Sequence, residues 1–294
     1  MRLRPLLLIL FLYCSAGWAA AQTLADSLGK SAGLSADLAF PAEIKELSIF
    51  SPLGMAIYKP EGAGPFPALV IVHSCGGLRS EIREWTKAVL SQGYVALVLD
   101  SNGPRGLKIN CYPPSKVTVA RGVKDAFQAL AHLKHFPQVD SSRVGLMGFS
   151  WGAMVGVMAS SHDVAEALSQ GDRFSAAVSL YPMCNFPGTA KFPTPFEYLR
   201  PDVDRPLLVL MGDQDTETPA SECLPRIEAL KQKSAPVESH LYSGATHCWD
   251  CASINGQVKT DFQGISVVYR YSPEVTEDSK RRAFEFLARN LGPK

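Results

Sequence analysis

One stretch of the sequence decides the fold: Val144-Gly145-Leu146-Met147-Gly148-Phe149-Ser150-Trp151-Gly152-Ala153. It opens with an apolar run and passes into small residues, a pattern typical of a buried strand that leads directly into a helix. Between the two, Gly148, Ser150 and Gly152 form the pattern Gly-x-Ser-x-Gly. The glycines let the backbone turn sharply without a Cβ clash, and such a turn holds its serine in a strained position. We interpret Ser150 as a nucleophile. The alternative, a glycine-rich turn that happens to contain a serine, is disfavoured by the flanking strand and helix.

Outward from this stretch, similar apolar runs recur along the chain. They are Ala68–Val72, Tyr94–Leu99, Val144–Phe149, Ala176–Leu180 and Leu207–Met211. A continuous apolar run is typical of a strand that is buried on both faces of a parallel sheet. Segments with apolar residues at helical spacing lie between most of these runs, the longest within residues 116–136, and a last one covers about 277–291. This alternation predicts an α/β fold, a doubly wound, mostly parallel sheet with helices on both faces.

The beginning of the chain has the three-part pattern of a secretory signal peptide. Arg2 and Arg4 precede an apolar run, and Ala19-Ala20-Ala21 supplies a cleavage site before Gln22. The apolar run is shorter than the roughly 20 residues that a membrane-spanning helix needs. We therefore expect a secreted or periplasmic protein with no stable membrane anchor.

The sequence predicts a single folded domain behind this signal. Residues 1–21 are the signal peptide, residues 22–43 an N-terminal extension that packs loosely, and residues 44–294 the α/β domain. Two short strand-like runs, Leu47–Phe50 and Met55–Tyr58, are expected to open the domain as a hairpin.

Charge and cysteine content narrow the class of protein further. The formal net charge is +1, so the chain lacks the basic footprint of a nucleic-acid-binding protein. Cys14 lies in the signal peptide, which leaves six of the seven cysteines in the exported chain. An even number in an exported protein predicts disulfides, although six cysteines allow about 15 pairings.

A serine nucleophile needs a histidine base and an acid that orients it. His247 follows the strand-like run Val237–Tyr242 and a short turn, so it lies on a loop at the edge of the sheet where sites collect. The other histidines lie in or beside helices, within a strand or on a different loop; they are His73, His132, His135, His162 and His240. His247 is therefore the predicted base.

The acid is expected between the serine and the histidine, at the end of a strand, because this is the chain order found where a serine lies on such a strand-to-helix turn. Asp215 fits best, since it lies far enough beyond Leu207–Met211 to reach across to the histidine. Asp213 and Glu217 remain alternatives, and the run could also be a plain polar turn.

An oxyanion hole needs two backbone amides that point at one place. Trp151, the residue after the nucleophile, supplies the first. The loop after Ala68–Val72 supplies the second, with Cys75 as the expected donor because Gly76 and Gly77 allow a tight backbone path. We expect His73 in the same loop to orient the loop and to take no part in the triad.

Taken together, these motifs resemble the dienelactone hydrolase family. The resemblance extends from about Leu47 to the C-terminal helix and rests on five segments: His73–Gly77, Asp100–Gly106, the Ser150 turn, Gly212–Asp215 and Gly244–His247. It implies hydrolysis of a small-molecule ester or lactone with no cofactor and no metal.

Two departures from that family concern the site. Its founding members use cysteine where this chain has Ser150, and they place an arginine shortly after the histidine. Here Cys248-Trp249-Asp250-Cys251 fills that stretch without an arginine, so ester or lactone hydrolysis is expected but dienelactone itself is not. Arg105 is the candidate substrate-binding cation, and its alternative role is to tie down its own loop.

The family's fold also narrows the cysteine pairings. Its strand order places the loop of Cys75 beside that of Cys111, and Cys184 beside Cys223, which leaves Cys248 and Cys251 as a local pair. Three rival interpretations remain open: a secreted peptidase of the same fold, a non-catalytic binding protein, and a metal site formed by His247 with Cys248 and Cys251.

Overall fold

A mostly parallel sheet of eight strands forms the centre of the molecule, in the spatial order β1-β2-β4-β3-β5-β6-β9-β10. The strands, in chain order, are β1 (Ile44–Lys45), β2 (Ala56–Tyr58), β3 (Phe66–Val72), β4 (Val95–Leu99), β5 (Val139–Phe149), β6 (Ala177–Leu180), β7 (Asn185–Phe186), β8 (Phe196–Glu197), β9 (Leu207–Gly212), β10 (Val237–Tyr242), β11 (Val258–Thr260) and β12 (Ser266–Val268). Within the sheet β2 and β4 pair antiparallel, and the other neighbours pair parallel. The fold class predicted from the apolar runs is confirmed.

The structure, a computed structural model, describes residues 24–33, 35–112, 115–190, 193–261 and 264–292. The predicted signal peptide, residues 1–21, lies outside the described residues. Within the described ranges, no helix has both the length and the apolar character required to cross a membrane.

Helices cover both faces of the sheet. They are α1 (residues 24–32), α2 (Ser80–Ser91), α3 (Val119–Leu133), α4 (Trp151–Ala159), α5 (His162–Leu168), α6 (Ala220–Gln232) and α7 (Pro273–Leu291). Side chains of β3 alternate between two buried layers, because successive residues of a strand point to opposite faces. Val70 joins the layer that contains residues of α3 and α4, whereas Leu69 and Ile71 join the layer that contains residues of α2 and α7. Alternating burial of this kind is why the β3 run contains no polar residue.

The opening hairpin predicted from Leu47–Phe50 and Met55–Tyr58 is wrong. Ile49 and Phe50 are 82% and 87% exposed, and β2 pairs in parallel with β1 instead. The cause is local: the Ser51 hydroxyl accepts a hydrogen bond from the Ser48 amide at 3.0 Å, and the Ser48 hydroxyl accepts one from the Phe50 amide at 3.3 Å. Serine side chains thus form a turn in place of the strand ladder.

The N-terminal extension is also packed more tightly than expected. Leu28 and Ala32 of α1 are 2% and 1% exposed and belong to the same buried layer as α3. Arg121 of α3 donates to the carbonyl oxygen of Ala32 at 3.3 Å and to the Asp37 carboxylate at 2.8 Å. A guanidinium with several fixed acceptors therefore fastens this segment to the domain.

Candidate active site

Ser150 lies at the turn between β5 and α4 in a conformation that side chains rarely adopt, with φ 52° and ψ −110°. The two glycines of the motif make this turn possible. A Cβ atom on Gly148 would overlap the carbonyl oxygen of Gly152, and a Cβ atom on Gly152 would overlap the carbonyl oxygen of Val72. The backbone is therefore packed so closely that only glycine fits on either side of the serine.

The structure brings Ser150, His247 and Asp215 into one chain of hydrogen bonds. His247 Nε2 lies 2.9 Å from Ser150 Oγ, and His247 Nδ1 lies 2.7 Å from Asp215 Oδ2. All three side chains are buried. An ionised carboxylate can only accept, so Nδ1 carries the proton and Nε2 is left to accept the Ser150 hydroxyl hydrogen. The arrangement is the one that proton removal from a serine requires.

Neighbouring groups fix the orientation of the Asp215 carboxylate. The backbone amides of Glu217 and Thr218 each donate to Asp215 Oδ1 at 2.9 Å, and the Thr218 hydroxyl donates to Oδ2 at 2.8 Å. Asp213, the alternative acid, is exposed and accepts the Gly244 amide at 2.7 Å. It caps a turn and does not reach the histidine.

The electrostatic surroundings favour the protonated form of His247. Burial lowers the pKa of this imidazole, but the carboxylates of Asp215 and Glu217 outweigh burial and raise the pKa above its ordinary value. An imidazolium formed during a reaction would be stabilised by the same two carboxylates.

Both predicted oxyanion-hole residues, Cys75 and Trp151, line the cavity beside Ser150. Trp151 is the first residue of α4, so its amide has no acceptor within the helix. Cys75 is held from two sides, by a disulfide to Cys111 and by the Asn110 amide, which donates to the Cys75 carbonyl oxygen at 2.8 Å. The loop is therefore fixed close to the serine.

His73 ties this loop to the next one. Its Nε2 accepts the Ser101 amide at 3.1 Å, and its Nδ1 contacts the Ser74 carbonyl oxygen at 2.6 Å. These contacts make His73 a fully buried connector between the loops after β3 and β4.

Arg105, the predicted substrate-binding residue, lies outside the site, and this prediction is wrong. Its guanidinium donates to both oxygens of the Asp125 carboxylate, at 2.7 and 2.9 Å, and to the Ser101 carbonyl oxygen at 2.8 Å. The residue is not among those that line the cavity at Ser150. Because Asp125 is fully buried, it needs counter-charges, and Arg105 supplies one of them while tying down its own loop.

Two cavities meet at Ser150. The larger has a volume of about 340 Å³, and the smaller of about 160 Å³. Apolar side chains dominate the wall of the larger cavity; they are Val119, Trp151, Met154, Met183, Phe186 and Tyr198. Charged or polar side chains line much of the smaller one; they include Arg79, Glu217, His247, Lys259 and Tyr269. The serine thus lies between an apolar pocket and a polar one.

Glu217, Lys259 and Tyr269 form a group that we call the Glu217 cluster. Lys259 Nζ lies 2.7 Å from Glu217 Oε1, and the Tyr269 hydroxyl donates to Glu217 Oε2 at 2.8 Å. The sequence pattern indicated Glu217 only as an alternative triad acid and gave no signal for Lys259 or Tyr269. Lys259 lies on the β11–β12 hairpin, whose strands of three residues are too short to show a periodic pattern.

The segment after His247 supports the imidazole indirectly, because Asp250 binds Tyr181 and Tyr181 packs against the His247 ring. The buried Asp250 carboxylate accepts the Trp85 indole N–H at 2.7 Å and the Tyr181 hydroxyl at 2.9 Å, and burial raises the pKa of Asp250. The Tyr181 ring packs edge-on against the His247 ring, with 4.8 Å between centroids. Nothing in the sequence marked Tyr181 or Asp250 as parts of the site, because their contacts join distant parts of the chain.

The six cysteines form the three pairs that the family's topology implied, Cys75–Cys111, Cys184–Cys223 and Cys248–Cys251. The last pair bears on the metal-site alternative. The potential ligand atoms of Cys248, Asp250 and Cys251 lie within 4.8 Å of one another, but the two sulfur atoms are bonded to each other. Both nitrogens of His247 are engaged by Asp215 and Ser150, so the donors that this alternative needs are already committed.

A mostly parallel sheet with Ser150, Asp215 and His247 on loops after β5, β9 and β10 defines an α/β-hydrolase. The family model for dienelactone hydrolases matches residues 53–291, and the chain belongs to the dienelactone hydrolase family. It is therefore a carboxylic ester hydrolase.

Similar proteins agree with this placement. A Synechocystis protein provisionally named carboxymethylenebutenolidase is 23% identical over 217 residues, which cover 69% of this chain and 85% of that protein. A provisionally named dienelactone hydrolase from Klebsiella pneumoniae has a similar structure, with a TM-score of 0.60, 20% identity, and coverage of 78% of this chain and 90% of that one. Thermogutta terrifontis esterase 2, in a structure phosphorylated by paraoxon, gives a TM-score of 0.57 at 20% identity and covers 81% of this chain and 90% of its own. At these identities, the structural likenesses concern the fold.

Proposed function

We propose that the protein is a serine hydrolase that cleaves a carboxylic ester or lactone through an acyl-enzyme at Ser150. The observation that carries the proposal is the continuous chain of hydrogen bonds from Asp215 through His247 to Ser150, with distances of 2.7 and 2.9 Å. In the first half of the reaction, His247 Nε2 takes the hydroxyl proton while Ser150 Oγ attacks the carbonyl carbon. The amides of Cys75 and Trp151 receive the oxyanion, and the imidazolium then protonates the leaving alkoxide.

The larger cavity beside the serine favours an apolar group of the substrate. The apolar cavity of about 340 Å³ suits the hydrocarbon part of a small ester. Arg105 is paired with Asp125 and Lys259 is paired with Glu217, whereas Arg79 lines the smaller, polar cavity. We therefore expect the apolar part of the substrate in the larger cavity and any polar part in the smaller one.

The relatives support ester or lactone chemistry through what their names state. The Synechocystis protein is named for lactone hydrolysis, and the Thermogutta terrifontis protein is an esterase that paraoxon phosphorylates. By analogy, we expect an organophosphate to inactivate this chain by reacting at Ser150.

A fluorophosphonate probe tests the proposal, because it labels only an activated serine. The wild type is expected to take one label and to hydrolyse p-nitrophenyl butyrate. Ser150→Ala should take no label and lose turnover by about a millionfold, since a triad member acts as part of a unit. Ser115→Ala is the matched control, because Ser115 also lines the cavity and has no part in the triad. A labelled Ser150→Ala protein, or one that keeps a few per cent of the activity, would refute the assignment.

The same assay separates the rival functions. A peptidase would take the label but would prefer peptide p-nitroanilides to p-nitrophenyl esters. A non-catalytic binding protein would take no label at all.

We also propose that the chain is exported. Three disulfides support this, because disulfides persist mainly in oxidising compartments. The test is the mass of the protein secreted by a bacterial host that expresses residues 1–294. A chain that begins at Gln22 is expected, and an uncleaved chain retained in the cytoplasm would refute export.

A further inference from the structure

Glu217 approaches the nitrogen of the triad histidine that faces the substrate. Its Oε2 lies 3.8 Å from His247 Nε2, the same atom that lies 2.9 Å from Ser150 Oγ. The orienting acid, Asp215, contacts the other nitrogen, Nδ1. Glu217 is therefore not a second orienting acid, because it lies on the side of the imidazole where a reacting group must bind.

Two contacts of the Glu217 cluster hold this carboxylate: Lys259 Nζ contacts Oε1, and the Tyr269 hydroxyl donates to Oε2. The Glu217 amide donates to Asp215 Oδ1, which fixes the backbone of the same residue. The Glu217 side chain is 15% exposed, and the residue lines both cavities at the serine. A carboxylate oxygen has two lone pairs, so Oε2 can accept a second hydrogen bond from the cavity.

The carboxyl is ionised. Burial by itself would raise the pKa of Glu217, but His247, Lys259 and the hydrogen bond from Tyr269 outweigh burial and hold that pKa below its ordinary value. The cluster therefore presents a fixed negative acceptor beside the reacting nitrogen.

We propose that Glu217 positions the water molecule that hydrolyses the acyl-enzyme, an inference that rests on the proposed function. Two acceptors 3.8 Å apart can share one water at hydrogen-bond lengths of about 2.8 Å. The water donates one hydrogen to His247 Nε2 and the other to Glu217 Oε2. Its oxygen attacks the acyl carbon as the first proton passes to Nε2. That proton then moves to Ser150 Oγ when the ester bond breaks and the carboxylic acid leaves, and Glu217 stays ionised throughout.

The acylation half-reaction does not use this water, so the two halves should respond differently to a change at Glu217. Glu217→Gln removes the charge and keeps the shape. The initial release of p-nitrophenol, which reports acylation, should keep its rate within about a factor of two, while hydrolysis of the acyl-enzyme slows by about 10- to 100-fold, the range for a lost charged hydrogen bond. Intact mass measured during turnover should then show the acyl group accumulating on the variant.

Asp213→Asn is the matched control, because it changes an acid to its amide on the same loop at a residue that does not reach His247. It should alter neither phase. If Glu217→Gln does not fold, Glu217→Asp tests the same idea, since it keeps the charge but withdraws it by one methylene and should still accumulate acyl-enzyme, to a smaller extent.

The outcomes separate this inference from the function on which it rests. If Ser150 takes the fluorophosphonate but the Glu217 variant accumulates no acyl-enzyme, or slows in both phases equally, the water-positioning role is refuted and the serine hydrolase stands. If Ser150 takes no label, the proposed function itself fails.

Discussion

Arg121 with Asp125, and Asp215 with His247, are both buried pairs of opposite charge, yet they are built for different purposes. The Arg121 and Asp125 side chains are 1% and 0% exposed, and the Asp215 and His247 side chains 1% and 4%. In the first pair Asp125 also binds Arg105, so two guanidinium groups converge on one carboxylate. In the second pair the nitrogen of His247 that does not contact Asp215 contacts Ser150, which lines the cavity.

The difference lies in the protons. A guanidinium keeps its proton at any pH that a protein experiences, so the Arg121 pair is static and can only hold α1 and the loop of Arg105 in place. An imidazole changes charge near neutral pH, so the His247 pair suits the proposed mechanism, in which His247 takes a proton from Ser150 and returns it. A buried charged pair thus stabilises the fold in the first region and suits catalysis in the second. The two pairs differ in that the hydrogen-bond chain of His247 ends at a cavity.

The largest effect is expected at the second pair. Asp215→Asn should lower kcat/KM for p-nitrophenyl butyrate by about four orders of magnitude, because an amide cannot hold the tautomer with the proton on Nδ1. Thermal unfolding should show that the variant is folded. Asp213→Asn, the same change two residues away, should have a far smaller effect. The reverse ranking would assign the acid's role to Asp213.

The first pair should show the opposite response. Asp125→Ala removes the carboxylate that the Arg105 and Arg121 guanidinium groups share and leaves Arg121 with Asp37 alone, so the free energy of unfolding measured in urea should fall by about 3–5 kcal/mol. Turnover of the folded fraction should stay close to that of the wild type. Glu238→Ala is the control, because it removes a carboxylate from an exposed pair with Arg289 and should cost less than about 1 kcal/mol. A loss of turnover without a loss of stability would place Asp125 in the catalytic machinery.

The contrast between the two pairs also explains what the sequence could predict. The sheet and the candidate triad were accessible because Ser150, Asp215 and His247 each follow a strand, and the ends of parallel strands meet at one edge. Arg105 was misassigned because its partner Asp125, on the next helix, is selected by packing, which leaves no trace in local spacing. A conspicuous arginine beside a predicted site is thus weaker support for substrate binding than a residue placed by strand topology.

Other errors have local origins. Ile49 and Phe50 look like a strand, but serine hydroxyls beside them compete for the backbone donors and leave both side chains in solvent. Lys259 lies on a hairpin too short for a periodic signal, although it contributes to the site. Local patterns therefore failed where side-chain bonds replace the backbone ladder and where an element is only a few residues long.

Disulfides also stabilise the molecule, and they connect loops near the candidate site that the Arg121 pair does not contact. Removing the Cys184–Cys223 bond with the double change Cys184→Ser and Cys223→Ser should lower the free energy of unfolding by about 2–4 kcal/mol, by the usual effect of a long-range bridge on the unfolded chain. Urea unfolding of both proteins measures the difference. An unchanged midpoint, or free thiols at these positions in the native wild type, would contradict the prediction.

The smallest effect, on the pH dependence of activity, tests the charges around His247 most directly. The imidazole must be neutral to act as a base, so kcat/KM falls as the pH drops through its pKa. Burial lowers that pKa, Asp215 and Glu217 raise it, and Lys259 lowers it. Glu217→Gln removes a raising group, so the acidic limb of the profile should move to lower pH. Lys259→Met removes a group that lowers the pKa of His247 and should move the limb to higher pH, even though Glu217 and Lys259 form one ion pair.

Glu238→Gln, at the distant surface pair, is the control and should leave the acidic limb where it is. Shifts in the same direction for Glu217→Gln and Lys259→Met would mean that these changes act by disturbing the structure, because only direct action on the imidazole charge gives the two opposite signs.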